Sequence, residues 1–236
     1  MPSSGVLILI IGSNTKKRGG AKNYNRELSI VASLPPTAAS LLVQGRRRIL
    51  QLITQGGYSR NKVRLADMPS NTTLVNGPEF GGDAQDGLYM PATERFHGRF
   101  FDRLGPNSIE LLTNTRHHVL IVTPLYGLVA PSEPIQDHQC HINDHPNFRR
   151  VWTQDDRLTD VLLAYMRRHG ITHVLDLTAQ NSYRLLIAWE RVRAEAKKAL
   201  HCFGTQTAGS DFLIPLGFLC REILSKWTEE KITSAQ

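Results

Sequence analysis

Three short polar segments carry the residues best suited to hold a phosphate, a sugar or a base. The first is Gly12-Ser-Asn-Thr-Lys16, followed by Lys17 and Arg18. Small residues such as Ser13 and Asn14 let backbone amides face an anion while the neighbouring cations supply charge. It is not a Walker loop, because the glycine spacing and the Lys-Ser/Thr ending are absent, and a solvated basic loop is the plain alternative. The second segment, Thr123-Pro-Leu-Tyr126-Gly, places a phenol that can stack on a base or donate a hydrogen bond, or that packs beneath its own loop. The third, Thr178-Ala-Gln-Asn181-Ser-Tyr183, offers an amide and a second phenol.

Two carboxylates stand near these segments. Glu133, between Pro131 and Pro134, can serve as a general base if it reaches a partly desolvated cleft. Asp176, inside an apolar run, can stabilise a ribosyl cation or activate water, although a carboxylate in such a place is more often structural. The densest group of potential ligands is Asp137-His-Gln-Cys-His-Ile-Asn-Asp-His145. On a helix its His138, His141 and His145 would share one face and suit zinc, iron or nickel. No His-x3-His or Cys-x2-Cys element supports a metal, and Pro146 favours loop, so phosphate contact or a polar loop is the expected role. No cofactor is expected. Ser182 lacks a Gly-x-Ser-x-Gly turn, and Cys202 and Cys220 lie in apolar surroundings, so neither residue type reads as a nucleophile.

The elements that would position these groups follow from apolar runs. Val6–Ile11, His118–Val122 and His173–Leu177 are continuously apolar or nearly so, as strands buried on both faces must be, and each ends at one of the three polar segments. This predicts an α/β fold with a mostly parallel central sheet, helices on both faces and the three segments gathered in one cleft beyond the strand ends. Helices are expected over Thr37–Thr54 with Gly45 as an interruption, over Pro91–Leu104, from Thr153 as cap to Gly170 as stop, and over Ser182–Ala199. A strand at Ala199–Phe203, the loop Gly204–Asp211 and a final helix carrying Leu216, Leu219, Ile223 and Leu224 complete the alternation. Residues 56–89, rich in Gly, Asn, Asp and Pro, read as an irregular insertion or mobile segment with at most a short strand near Val63 or Leu74. At 236 residues the chain is expected to form a single domain over 1–236.

Lys and Arg number 28 against 21 acidic residues, a net charge of +7, which favours a polyanionic partner. Three cysteines without a framework spacing fit a reducing cytoplasm, and Val6–Ile11 is too short and lacks the preceding basic residues of a signal peptide. No membrane partner is expected.

Pro91-Ala-Thr-Glu-Arg-Phe-His-Gly-Arg-Phe-Phe101, Leu125-Tyr-Gly-Leu-Val-Ala-Pro131 with Glu133-Pro-Ile135, and Leu177-Thr-Ala-Gln-Asn-Ser-Tyr183 together resemble the YaaA-type family of peroxide-stress proteins, over roughly Leu7–Lys16 and Pro91–Leu224. The resemblance implies an α/β core with a basic cleft, DNA binding and a role in limiting oxidative damage to DNA. It carries over to Lys16, Tyr126 and Tyr183. The chain departs from the family pattern at His138-Gln-Cys-His-Ile142, where larger members have Tyr-Arg-Leu-Glu-Met, and at Ser182, where they have Glu. The expected function is therefore a nucleic-acid-binding protein, DNA before RNA, using a basic cleft. The alternative is a nucleotide- or base-directed hydrolase or lyase of N-glycosidase type in the same cleft.

Overall fold

The computed structural model describes residues 5–59, 61–202, 211–228 and 231. Its central sheet contains β1 (Val6–Ile11), β3 (His118–Thr123), β4 (Gly127–Val129), β6 (His173–Asp176) and β7 (Lys198–His201), in the order β4-β3-β1-β6-β7. The strands β3, β1, β6 and β7 run parallel; β4 folds back antiparallel on β3 at the edge. A separate antiparallel ribbon joins β2 (Tyr89–Pro91) to β5 (Pro134–Gln136).

Every residue of β1 is buried, as the central strand of a sheet covered on both faces requires. Two helix groups provide the cover. One packs α1 (Pro36–Thr54) with α5 (Pro146–Thr153), α6 (Arg157–His169) and α8 (Trp189–Glu195). The other packs α2 (Ala92–Arg95), α3 (Arg99–Leu104) and α4 (Ser108–Thr113) with α9 (Leu213–Lys226), and the single turn α7 (Asn181–Arg184) follows β6. From β3 the chain crosses back over β1 to reach β6, so the strand order reverses at β1. Crevices at such reversals, beyond the carboxyl ends of the strands, are where parallel sheets hold ligands.

Helix α1 begins with Pro36 in its first turn, where the missing N–H costs nothing, and buries Leu42, Ile49, Leu50 and Ile53. Gly45 lies inside this helix instead of interrupting it. A Cβ there would stand 2.4 Å from the Trp152 ring, so only glycine admits the indole, which is itself buried and donates from Nε1 to the Pro124 carbonyl at 2.7 Å.

Several expected elements are shorter than their periodicity suggests. Pro91–Leu104 is not one helix: β2, α2 and α3 divide it, and Gly98, with φ +98°, turns the chain between α2 and α3. The stretch after Thr153 does not start a capped helix, because Asp155 and Asp156 both adopt left-handed φ values (53° and 52°) and separate α5 from α6. Ser182–Ala199 is split into α7 and α8, and the last strand begins at Lys198. Among the described residues of 56–89 there are short 3-10 turns, an isolated bridge from Tyr58 to Arg64 and another from Tyr89, the first residue of β2, to Ala21, with no strand at Val63 or Leu74. Leu65, Asn71 and Phe80 are nevertheless buried, so the segment is packed onto the core. Most of the expected loop Gly204–Asp211 lies outside the described residues.

Candidate functional site

The loop after β1 is held at both sides. Gly12 N–H donates to the Val122 carbonyl at 3.0 Å, continuing the β1–β3 ladder, and Thr15 N–H donates to Ser13 Oγ at 3.1 Å. Further on, His97 N–H donates to the Thr15 carbonyl (3.0 Å) and Lys17 N–H to the Arg95 carbonyl (2.8 Å), which ties the loop to the α2–α3 turn. Gly98 lies against the loop there: a Cβ would meet Ser13 Oγ at 3.4 Å and Thr15 Oγ1 at 3.5 Å.

The loop after β6 is shaped by an unusual backbone. Leu177 N–H still donates to the Leu9 carbonyl at 2.8 Å, but Ala179, fully buried, has φ +52°, a left-handed conformation that a non-glycine residue adopts only under local constraint. Gln180 N–H closes the turn on the Thr178 carbonyl at 2.7 Å. The reversal presents Gln180 and Tyr183 toward β1.

Between the two loops lies a cavity of about 370 Å³. Ser13, Asn14, Thr15, Arg99, Gln180 and Tyr183 supply its polar wall, with His141 beside Tyr183 at a ring separation of 5.7 Å, edge to face. Ile11, Phe100, Phe101 and Leu213 supply the apolar part. Asn14 and His141 also border an outer compartment of about 380 Å³ that reaches Ser59, Asn61, Gln139 and Asp144. There Asp144 accepts from His141 N–H at 2.6 Å. The inner cavity combines hydroxyls, amides, an imidazole and a guanidinium with an aromatic and aliphatic wall. That mixture suits a ligand with one polar anionic end and one flat apolar end; no Asp or Glu lines the cavity among the described residues, and Arg99 Nη1 pairs with the exposed carboxylate of Asp211.

Of the groups expected in the cleft, Ser13, Asn14 and Tyr183 line this cavity, and His141 joins them. Lys16 sits behind the wall, its ammonium 5.5 Å from the centre of the Phe96 ring. Burial brings its pKa down to about 8, an effect opposed by Cys140 and Asp137 and reinforced by Arg95. Lys17 and Arg18 are exposed farther along the loop, and Asn181 is exposed at the start of α7, all outside the cavity lining.

Other expected groups are committed elsewhere. Tyr126 is fully buried, its phenol oxygen accepting from Gln136 N–H at 2.9 Å, so its ring offers no open stacking face. Burial pushes that phenol well above its ordinary pKa. Thr123 is likewise buried and accepts from Tyr126 N–H at 3.0 Å, which shapes the turn after β3. Glu133 does not reach the cavity. Its carboxylate accepts from Arg46 Nη1 (2.7 Å), Ser29 Oγ (2.6 Å), Ile30 N–H (3.1 Å) and Ala130 N–H (3.1 Å), with both Arg46 and Glu133 fully buried. Arg46 also donates to the Tyr126 and Leu128 carbonyls at 3.0 and 2.7 Å.

Asp176 is equally occupied. One oxygen accepts from Thr178 N–H (3.0 Å) and Oγ1 (2.6 Å), the other from Arg184 Nε (2.7 Å) and His201 Nδ1 (2.6 Å). Each carboxylate holds a loop in place and has no lone pair directed at the cavity.

Residues 137–145 are not helical, so the three histidines do not share a face. His138 is buried with Nδ1 3.0 Å from the Gln136 carbonyl, and burial lowers its pKa well below normal. His145 caps α5, accepting from Asn147 N–H at 3.2 Å. No group of three potential ligands is placed to hold a metal ion among the described residues.

Arg99, Gly98, Thr15 and Gln180 were not singled out by sequence. A signal existed in Gly98, a small residue inside an otherwise helical pattern, since the φ of +98° that turns the chain there is one that glycine adopts freely.

No known protein-family model and no curated protein matches this chain. The YaaA-type resemblance accordingly rests on its motifs. Cys140, Cys202 and Cys220 form no disulfide, and no helix among the described residues is long and apolar enough to cross a membrane.

Proposed function

We propose that this protein binds nucleic acid through a nucleotide-sized cleft at the carboxyl ends of β1 and β6. The observation that carries the reading is the cavity of about 370 Å³ in which a small-residue loop, Arg99 and the Tyr183–His141 pair converge, within the size range of pockets that take small ligands. In this reading the Ser13–Thr15 segment and Arg99 meet a phosphate, and the aromatic wall meets the sugar or base. The net charge of +7 supports a polyanion over an isolated neutral ligand. Lys17 and Arg18, exposed beside the loop, extend the positive field outward.

An N-glycosidase reading receives less support. It needs a carboxylate at the reacting sugar, and both carboxylates expected for that task are consumed by buried contacts. DNA is the favoured nucleic acid, and protection of DNA from oxidative damage the favoured context, on the strength of the family resemblance.

The test is fluorescence anisotropy of labelled 20-mer oligonucleotides, with nucleoside monophosphates as competitors, across a salt series. Binding should weaken steeply with salt, and Arg99→Ala should weaken the oligonucleotide and the monophosphate together. An affinity indifferent to salt, or an Arg99→Ala protein with unchanged affinity for both, would contradict the proposal.

A further inference from the structure

A second positively charged depression lies between α1 and α5. Its volume is about 440 Å³, and its polar lining consists of Arg48, Arg150 and Arg157 with the amides of Gln44, Asn147 and Gln154. No carboxylate borders it among the described residues, so three guanidiniums share one concavity without local neutralisation. Arg157 is fixed in place: one terminal nitrogen donates to the Val151 carbonyl at 2.8 Å, while its Nε is buried with no hydrogen-bond partner among the described residues.

The backbone beside the groove is also strained. Asp155 and Asp156 are consecutive left-handed residues between Gln154 and Arg157, a conformation that costs free energy for any residue with a Cβ. Asp156 is engaged by Arg191 at 3.0 Å, and neither Asp155 nor Asp156 appears in the groove wall.

The groove and the outer compartment of the cleft have lining residues three positions apart at the start of α5. Asp144 borders the outer compartment of the cleft and Asn147 borders the groove, with the His145 cap between them.

We infer that the Arg48–Arg150–Arg157 groove is a second phosphate-binding surface, which takes the backbone of the same nucleic-acid strand whose nucleotide occupies the cleft. The inference rests on the nucleic-acid reading of the cleft and adds to it a footprint longer than one nucleotide. Arginine suits the task because its planar fork addresses two phosphate oxygens at once and remains charged at any physiological pH.

The variant Arg48→Gln/Arg150→Gln removes the two exposed guanidiniums and leaves Arg157, with its backbone contact, intact. Each phosphate contact to a single strand contributes about 0.7 to the salt slope, so two contacts should flatten the slope by about 1.4 and weaken a single-stranded 20-mer on the order of 25-fold at 0.1 M salt. Competition by a nucleoside monophosphate for the cleft should be unchanged. Equal affinity and slope for the variant and the wild type, with the 20-mer still bound, would overturn the groove while leaving the nucleic-acid reading of the cleft intact. Wild-type protein that binds the monophosphate but not the 20-mer would overturn the groove and the nucleic-acid reading together, leaving a cleft for free nucleotides. Wild-type protein that binds neither would overturn both.

Discussion

Replacement of Glu133 separates a structural carboxylate from a catalytic one. In Glu133→Gln the side chain keeps its shape, but Arg46 loses its counter-charge while remaining fully buried. The amide nitrogen must also face a donor, because all four groups now pointing at Glu133 (Arg46 Nη1, Ser29 Oγ, Ile30 N–H and Ala130 N–H) are donors. Breaking one partner of a buried ion pair costs about 3–5 kcal/mol. For a chain of this size that corresponds to a fall in Tm on the order of 10 °C. Arg46 retains the Tyr126 and Leu128 carbonyls, which places the loss toward the lower end of that range. Arg46→Met alone should be destabilising as well, because it strands the carboxylate. The double variant Arg46→Met/Glu133→Gln should lose less than the sum of the two single changes, with a coupling of about 1–3 kcal/mol. Urea denaturation of all four proteins measures this cycle. A Glu133→Gln protein as stable as the wild type but with abolished ligand processing would refute the structural assignment and restore Glu133 as a reacting group.

Two further outcomes follow from packing and charge. Gly45→Ala replaces the poorer helix former with the better one, yet its Cβ would stand 2.4 Å from the Trp152 ring, so a loss of about 1–3 kcal/mol is expected by denaturation instead of the gain of about 1 kcal/mol seen at an open helix position. For Lys16, burial lowers the pKa from 10.5 to about 8, so the unfolded chain binds this proton more tightly than the folded one. Stability contributed by this group therefore rises as pH increases through 8 toward 10.5. The difference in unfolding free energy between wild type and Lys16→Met should move in favour of wild type from pH 7.5 to 9.5. A pH-independent difference would show that the ammonium is not desolvated.

The α/β fold was legible because its signal is local and redundant. Val6–Ile11, His118–Val122 and His173–Leu177 are too continuously apolar to face water on either side, and each ends where a polar loop begins. The edge elements were not legible. β4, β5 and β2 are three residues each, and what fixes them is the Arg46–Glu133 pair and the Gln136–Tyr126 hydrogen bond, contacts between residues up to 87 positions apart. The break of Pro91–Leu104 was hidden for the same reason. Its apolar spacing satisfies a helix, and the break comes at Gly98, whose φ of +98° turns the chain toward the β1 loop.

The cleft was legible in position and less so in composition, and the physical reason is the depth of each polar residue. At the carboxyl end of the sheet, polar groups form two shells. The inner shell contains Tyr126, Glu133, Asp176 and Thr178, all fully buried, and each is engaged by contacts that hold the strand-end turns. The outer shell contains Ser13, Asn14, Arg99, Gln180 and Tyr183, around the cavity. A carboxylate or phenol in an apolar run attracts notice because its burial needs compensation, but compensation from within the chain withdraws it from ligand chemistry. Glu133 and Asp176 stand out in the sequence for the very property that commits them to structure. Arg99, placed at an ordinary helix start, gives no such sign; its partner is the exposed Asp211, so it lies where an incoming anion can compete for it. At this sheet end, the residues that build the rim and those that face the ligand are therefore different sets, and charge reversal at Arg99 should alter binding far more than stability, while the opposite holds for Arg46.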